Sequence, residues 1–220
     1  QYRLLGNAKT YAASVAATTQ PYSITAQLTT RVAPSGSASV TKVVSDYYTT
    51  VALDSNGKVW TYGTAAMGLT GRGVAGPTGT ASGARFYEIG LDATARIAMI
   101  DETYYGTVVV MSDGTVWTLG TYGEVTATYY LGDSTSNERF TAGRIDLPFG
   151  PDTTLSSVSV SQLACGYSHC LIATSNGSIY GWGDGLNRSI VVNSTADAST
   201  PTLIKSGLTN PRIAAGNGVS

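Results

Sequence analysis

The chain has 220 residues, 12% of them charged, and a formal net charge of -1. That balance offers no basic surplus to neutralise phosphates, which argues against nucleic acid as a partner, and no apolar run reaches membrane-spanning length. Ser, Thr, Gly and Tyr dominate the polar content while Lys and Glu are scarce, a balance common on secreted, cell-surface and virion proteins.

Sustained helical periodicity is nearly absent, whereas β-branched residues and turn formers recur throughout, so the expectation is an all-β fold. Residues 1–41 hold no hairpin signal; "YRLLGNAKTYAASVAATTQP" (Tyr2–Pro21) reads as the tail of a unit whose hairpin came before it. The first hairpin follows, "TVALDS" turning through Asn56-Gly57 into "KVWTYG", and a unit spanning 42–93 is predicted. The second runs from "TVVVMS" through Asp113-Gly114 into "TVWTLG", within a unit at 97–150. The third runs from "CLIATS" through Asn176-Gly177 into "SIYGWG", within 158–208. Asn-Gly and Asp-Gly predict type I′ turns, with positive φ at both central residues. "RIAAGNGVS" (Arg212–Ser220) repeats the start of a unit, over 212–220.

The three copies align on Gly57, Gly114 and Gly177, and each second strand ends in Gly: Gly63, Gly120, Gly183. Trp60, Trp117 and Tyr180 share one position, and Trp182 lies two residues further along the third copy. A further strand precedes each hairpin, with Val43–Asp46, Ile100–Thr103 and Leu163–Gly166 in register. The spacing of the turn glycines, 57 and then 63 residues, suits a propeller blade with length differences absorbed in loops.

"LACGYSHCLIATSNGSIYGWGDG" (Leu163–Gly185) resembles a repeat of the RCC1 family, the regulator of chromosome condensation. Leu163, Ala164, Cys165, Gly166 and His169 fit the pattern, while Cys170 and Ala173 depart from its strict form. The other copies are weaker: Thr49 and Gly106 replace the His, and Asp46 and Thr103 replace the Gly. The resemblance implies a β-propeller, here about three complete blades with partial blades at both ends, an incomplete ring and hence a segment of a longer chain or part of an oligomer. It makes His169 a structural hydrogen-bonding residue rather than a general base.

No catalytic constellation emerges, and no cofactor is expected. The expectation is a non-enzymatic protein. Two Cys and a single His make no zinc set, so no metal is expected. Cys165 and Cys170 would pair only if they face each other across a tight turn; the commoner reading is two small buried thiols. Asp54 and Asp184 suit Asx turns. Asn176, Asn187 and Asn193 open glycosylation sequons.

Tyr47, Tyr48, Tyr104, Tyr105 and Tyr167 hold equivalent places in successive copies, and Tyr129 and Tyr130 stand in a long insert. Equivalent places in a propeller fall on one face of the disc. Tyr combines apolar area with a hydroxyl and is favoured at interfaces, so these residues form a candidate surface for a protein or glycan partner. The competing reading packs them between blades. The functions carried forward are a binding or structural platform outside the cell or on a virion, a guanine-nucleotide-exchange or other regulatory module of the family's kind, and a secreted enzyme inhibitor.

Overall fold

The computed structural model describes residues 39–46, 49–63, 69, 71, 87–88, 96–121, 130–135, 137–149, 158–185, 190 and 195–217. Among them are strands and turns and no helix. The first sheet holds β1 (Val40–Ser45), β2 (Thr49–Asp54), β3 (Val59–Gly63) and β4 (Tyr87–Glu88). The second holds β5 (Ile97–Thr103), β6 (Gly106–Met111), β7 (Val116–Gly120) and β8 (Arg139–Ile145). The third holds β9 (Val160–Cys165), β10 (His169–Thr174), β11 (Ile179–Gly183) and β12 (Ala198–Lys205). Strand order follows chain order in each, and all pairings are antiparallel.

Register repeats as faithfully as sequence. Ala52 opposes Trp60, Val109 opposes Trp117 and Ile172 opposes Tyr180. The inner strand of each sheet carries a bulge at one equivalent position, Thr41, Ala98 or Ser161. Where the bulged residue has a hydroxyl, it donates across the pair: Thr41 Oγ1 to the Leu53 carbonyl and Ser161 Oγ to the Ala173 carbonyl, both at 3.1 Å.

The serine that opens each nonapeptide has a defined task. Ser55, Ser112 and Ser175 accept through Oγ from the backbone N–H of Ser39, Arg96 and Ser159, at 3.1, 3.1 and 3.0 Å. Their own N–H groups donate back to the same three residues' carbonyls. Each hairpin tip is thereby pinned to the entry of its inner strand.

The turn itself differs from the type I′ expectation. Only the glycine has positive φ, +77° at Gly57, +85° at Gly114 and +80° at Gly177; the preceding Asn or Asp does not. Gly57 N–H donates to the Asp54 carbonyl and Asp54 N–H to the Lys58 carbonyl, and the other two hairpins repeat both bonds. The loop is therefore one residue longer than a type I′ hairpin: a type I turn followed by a left-handed glycine. Asp54 reinforces its own turn, with Oδ1 accepting from the N–H of Asn56 and Lys58 and Oδ2 from Trp60 Nε1 at 2.9 Å.

The core lies between sheets. Val109 and Met111 of β6 join Val51, Leu53 and Val59 of the first sheet in one buried cluster. Val108 and Val110 join Cys170, Ile172 and Trp182 of the third sheet in another. Alternate residues of one strand thus face two different neighbours, which is how blades fan about an axis. Trp182 Nε1 also donates to the Tyr130 carbonyl at 3.1 Å, and its ring lies where a Cβ on Gly132 would stand. One blade's tryptophan therefore clasps the long loop of the blade before it.

The expectation of two separate buried thiols is corrected: Cys165 and Cys170 form a disulfide, Cα–Cα 4.1 Å. Gly166 N–H donates to the His169 carbonyl and closes the turn, leaving the two cysteines directly opposed on β9 and β10. This is the close, non-hydrogen-bonded type of cross-strand pair, in which side chains approach most nearly.

The turn glycines carry a test. A Cβ on Gly114 meets nothing within 4 Å, whereas one on Gly177 would stand 1.9 Å from the Leu208 carbonyl oxygen. Gly114→Ala is expected to cost only left-handed strain, about 1–2 kcal/mol. Gly177→Ala adds a backbone collision and is expected to cost well over twice that. Urea unfolding of the two variants compares them directly; equal losses would refute the distinction.

Candidate functional site

The inner strands β1, β5 and β9 end on one face of the fan, where each turns into the second strand of its sheet. Side chains of their run cross the seams between blades. Lys42 Nζ donates to the Ile100 carbonyl. Gln162, at the equivalent position one pair of blades later, donates to the Pro211 carbonyl and accepts from Ile213 N–H. Met99 stands at that position in the second blade and has no polar group to offer. There Asp101 spans the seam instead, Oδ2 accepting from Cys165 N–H at 3.0 Å. Burial raises the Asp101 pKa, opposed by the Cys165 N–H, the Lys42 charge and the Glu102 N–H.

The next residue is less well provided for. Glu102 is 8% exposed. Its Oε1 accepts from Thr49 Oγ1 at 2.9 Å, while Oε2 has no hydrogen-bond partner among the described residues. Desolvation pushes its pKa up to about 8; the Thr49 hydroxyl and the Asp46 backbone N–H oppose this, and the charges of Asp46 and Asp101 add to it.

Glu102 lines a pocket of about 290 Å³ at the mouth of the fan, together with Asp46, Tyr104, Tyr167, Gly166 and Gly216. Among the described residues no Lys, Arg or His lines it. Gly166 has no room for a side chain: a Cβ would stand 2.2 Å from the Gly216 oxygen and 2.9 Å from His169 Cε1.

The tyrosines gather beside this pocket. Tyr104 stacks on Tyr167 with ring centroids 4.7 Å apart, and Tyr105 stacks on Tyr130 at 4.6 Å. Edge contacts of Tyr105 with Tyr104 and Tyr167 join the two stacks. The Tyr104 N–H donates to the Tyr167 carbonyl across the seam, and Tyr167 N–H to the Gly216 carbonyl. Desolvation, a hydrogen bond to Tyr167 and the neighbouring hydroxyls all raise the Tyr105 pKa above the ordinary value. Tyr130 is buried, Tyr104 and Tyr105 are half-buried, and Tyr167 is 41% exposed. The cluster is therefore partly seam packing and partly surface. Tyr47, Tyr48 and Tyr129 lie outside the described residues.

The remaining repeat residues surround this site. His169 is fully buried, and Gly183 opposes it across the pair. Gly120 and Gly183 have φ of +125° and +109°, and a Cβ on either would meet the Tyr105 or Ser168 carbonyl oxygen at 2.3 or 2.4 Å. The glycine that ends each hairpin thus lets the tyrosine-bearing turn lie flat against it. Gly63 occupies the same place against Thr49. Trp117 Nε1 donates to Thr115 Oγ1 at 3.1 Å. No group of His, Cys, Asp and Glu among the described residues is arranged to hold a metal ion. Asp101 and Glu102 escaped the reading of the sequence; their signal was acid at positions where the other copies carry Val44 and Ala164, and Ser45 and Cys165.

Residues 160–188 match the model of the Regulator of chromosome condensation (RCC1) repeat. The ultraviolet-B receptor UVR8 of Arabidopsis thaliana is 31% identical over 102 residues, 46% of this chain and 20% of the receptor. Human WBSCR16 superposes with a TM-score of 0.66 at 17% identity, over 81% of this chain and 42% of that one. Prp20p of Saccharomyces cerevisiae superposes with a TM-score of 0.60 at 17% identity, over the same shares. The chain thus spans about a fifth of the receptor and under half of the two solved propellers.

Glu102 makes stability depend on pH with a defined sign. Below the ordinary glutamate value of 4.5 it is protonated whether the chain is folded or not. Between there and about pH 8 the folded chain keeps a proton that the unfolded chain has lost, so stability falls as pH rises. Glu102→Gln removes this dependence. In urea unfolding at about pH 5 and about pH 9, the wild type is expected to lose several kcal/mol more than the variant. Equal losses would show that the carboxyl is not held protonated.

Proposed function

We propose that this all-β, RCC1-like β-propeller fold, an open ring among the described residues, serves as a non-enzymatic binding platform, presenting the tyrosine-lined mouth of its fan to a protein or glycan partner. The observation that carries this reading is the four-ring cluster of Tyr104, Tyr105, Tyr130 and Tyr167, two stacked pairs joined edge-on, buried at Tyr130 and open at Tyr167. A preordered aromatic surface loses little conformational freedom on binding, and loops and turns on a rigid scaffold are where recognition concentrates. Prp20p is described as binding Gsp1p and histones, which supports a protein partner.

The setting proposed is a larger extracellular or virion-surface protein. The Cys165–Cys170 disulfide supports it, because such bonds persist in oxidising compartments. So does the low charge of the chain.

Two measurements check these statements. Immobilised wild-type chain and the variant carrying both Tyr104→Ala and Tyr167→Ala are offered an extract of the source and a glycan array. A ligand retained by the first and weakened about tenfold or more by the second is expected, since aromatic anchors commonly contribute about 2 kcal/mol or more. Equal retention would remove the tyrosines from the surface. Alkylation of the native protein without reductant is expected to modify neither cysteine; two adducts per chain would remove the compartment argument.

A further inference from the structure

We propose that the pocket at the mouth of the fan is a site for an organic cation, an ammonium or guanidinium group, with Glu102 as its counter-ion and Tyr104 and Tyr167 as its walls. The proposal deepens the binding-platform reading and rests on it, because the pocket and the tyrosine stack share one face.

The argument starts from Glu102 Oε2. This oxygen lies at a residue only 8% exposed and has no hydrogen-bond partner among the described residues. A buried carboxylate oxygen left unsatisfied costs the full desolvation of the group, so such atoms call for an explanation. Here Glu102 lines a pocket of about 290 Å³ whose lining, among the described residues, holds a second carboxyl, Asp46, and no basic side chain. Lys42, on the neighbouring β1, is committed to the Ile100 carbonyl and acts on Asp101. Burial and the nearby Asp46 and Asp101 charges raise the proton affinity of Glu102.

The walls narrow the class of ligand. Tyr104 and Tyr167 bring aromatic rings to a pocket that already holds acid, and aromatic faces attract ammonium and guanidinium groups. The same walls offer a metal ion little. No arrangement of three His, Cys, Asp or Glu that could hold one exists among the described residues. The volume admits the end of an arginine or lysine side chain, or a small free amine of the same chemistry.

The probe is N-acetyl-arginine amide, with N-acetyl-norleucine amide as the neutral control and agmatine as a free cation. Backbone amide spectra of the chain report binding at Tyr104, Cys165 and Gly166. Saturable movement of these signals with the arginine amide and none with the norleucine amide are expected. At about pH 9, where the Glu102 carboxyl is ionised, Glu102→Gln, which keeps the Thr49 hydrogen bond, should weaken binding about tenfold or more. Tyr167→Ala, at an exposed position, should weaken it a few-fold with the rest of the spectrum unchanged. Tighter binding of the arginine amide than of agmatine would assign the site to a partner's side chain, and the reverse to a free amine; both sustain the proposal. Absence of saturable movement, or equal affinity in wild type and Glu102→Gln, overturns it. If the double tyrosine variant still loses its partner while the arginine amide fails to bind, the platform reading survives and the cation site does not.

Discussion

A β-strand that is apolar on both faces cannot lie at a surface, and this chain has one in the middle of each sheet. All six residues of β6 (Gly106–Met111) and of β10 (His169–Thr174) are buried, and five of the six in β2 (Thr49–Asp54). In a two-layer sandwich the outer face of each strand meets water and alternation results. Here alternate residues of β6 enter different clusters, Val109 and Met111 on one side, Val108 and Val110 on the other. Each fully buried aliphatic side chain contributes about 1.5–3 kcal/mol, so the second sheet is held by both neighbours. Radial stacking is the arrangement that covers two faces of every sheet with copies of the same sheet.

Fanning has a consequence at the narrow end. The inner strands converge, and besides the apolar side chains they bury, polar side chains cross the seams between them. Lys42 and Gln162 do so from equivalent positions with long side chains ending on a carbonyl of the following segment. Where Met99 interrupts the pattern, the shorter Asp101 bridges from two residues further on, to a backbone N–H instead of a carbonyl. The seams are thus closed by different chemistries at nearly the same height. The face above them inherits the leftover, a carboxyl at Glu102 with only one oxygen satisfied by hydrogen bonding among the described residues.

How much of this could be read from the sequence depends on whether the feature repeats. The strand order, the hairpins and the terminal glycines recur three times, and repetition made them visible without any knowledge of packing. The turn type was misjudged because Asn-Gly suits both a two-residue type I′ loop and the three-residue loop found here. The choice lies in loop length, which the flanking residues do not declare. The disulfide was underweighted because a five-residue separation says nothing about register; the Gly166-to-His169 hydrogen bond that opposes the cysteines is a backbone property. The tyrosines were located by alignment, but stacking across a seam needs a three-dimensional neighbour. Tyr130 stacks on Tyr105 while its carbonyl accepts from Trp182 of the next blade.

The places where the copies disagree carry the rest. A repeat position that serves only the scaffold should accept the same small or apolar residue in each blade. The positions of Val44 and Ala164, and of Ser45 and Cys165, do so; their counterparts in the second blade are Asp101 and Glu102. Two adjacent acids in an inner strand are costly there, since burial disfavours their charge. Asp101 offsets that cost by closing a seam. Glu102 closes only half of one, through Thr49. A residue that departs from its repeat, is buried, and keeps an oxygen without a hydrogen-bond partner among the described residues is the place to look for a contact beyond the scaffold. The same comparison of copies, position by position, finds such residues in any repeat protein whose blades are built alike.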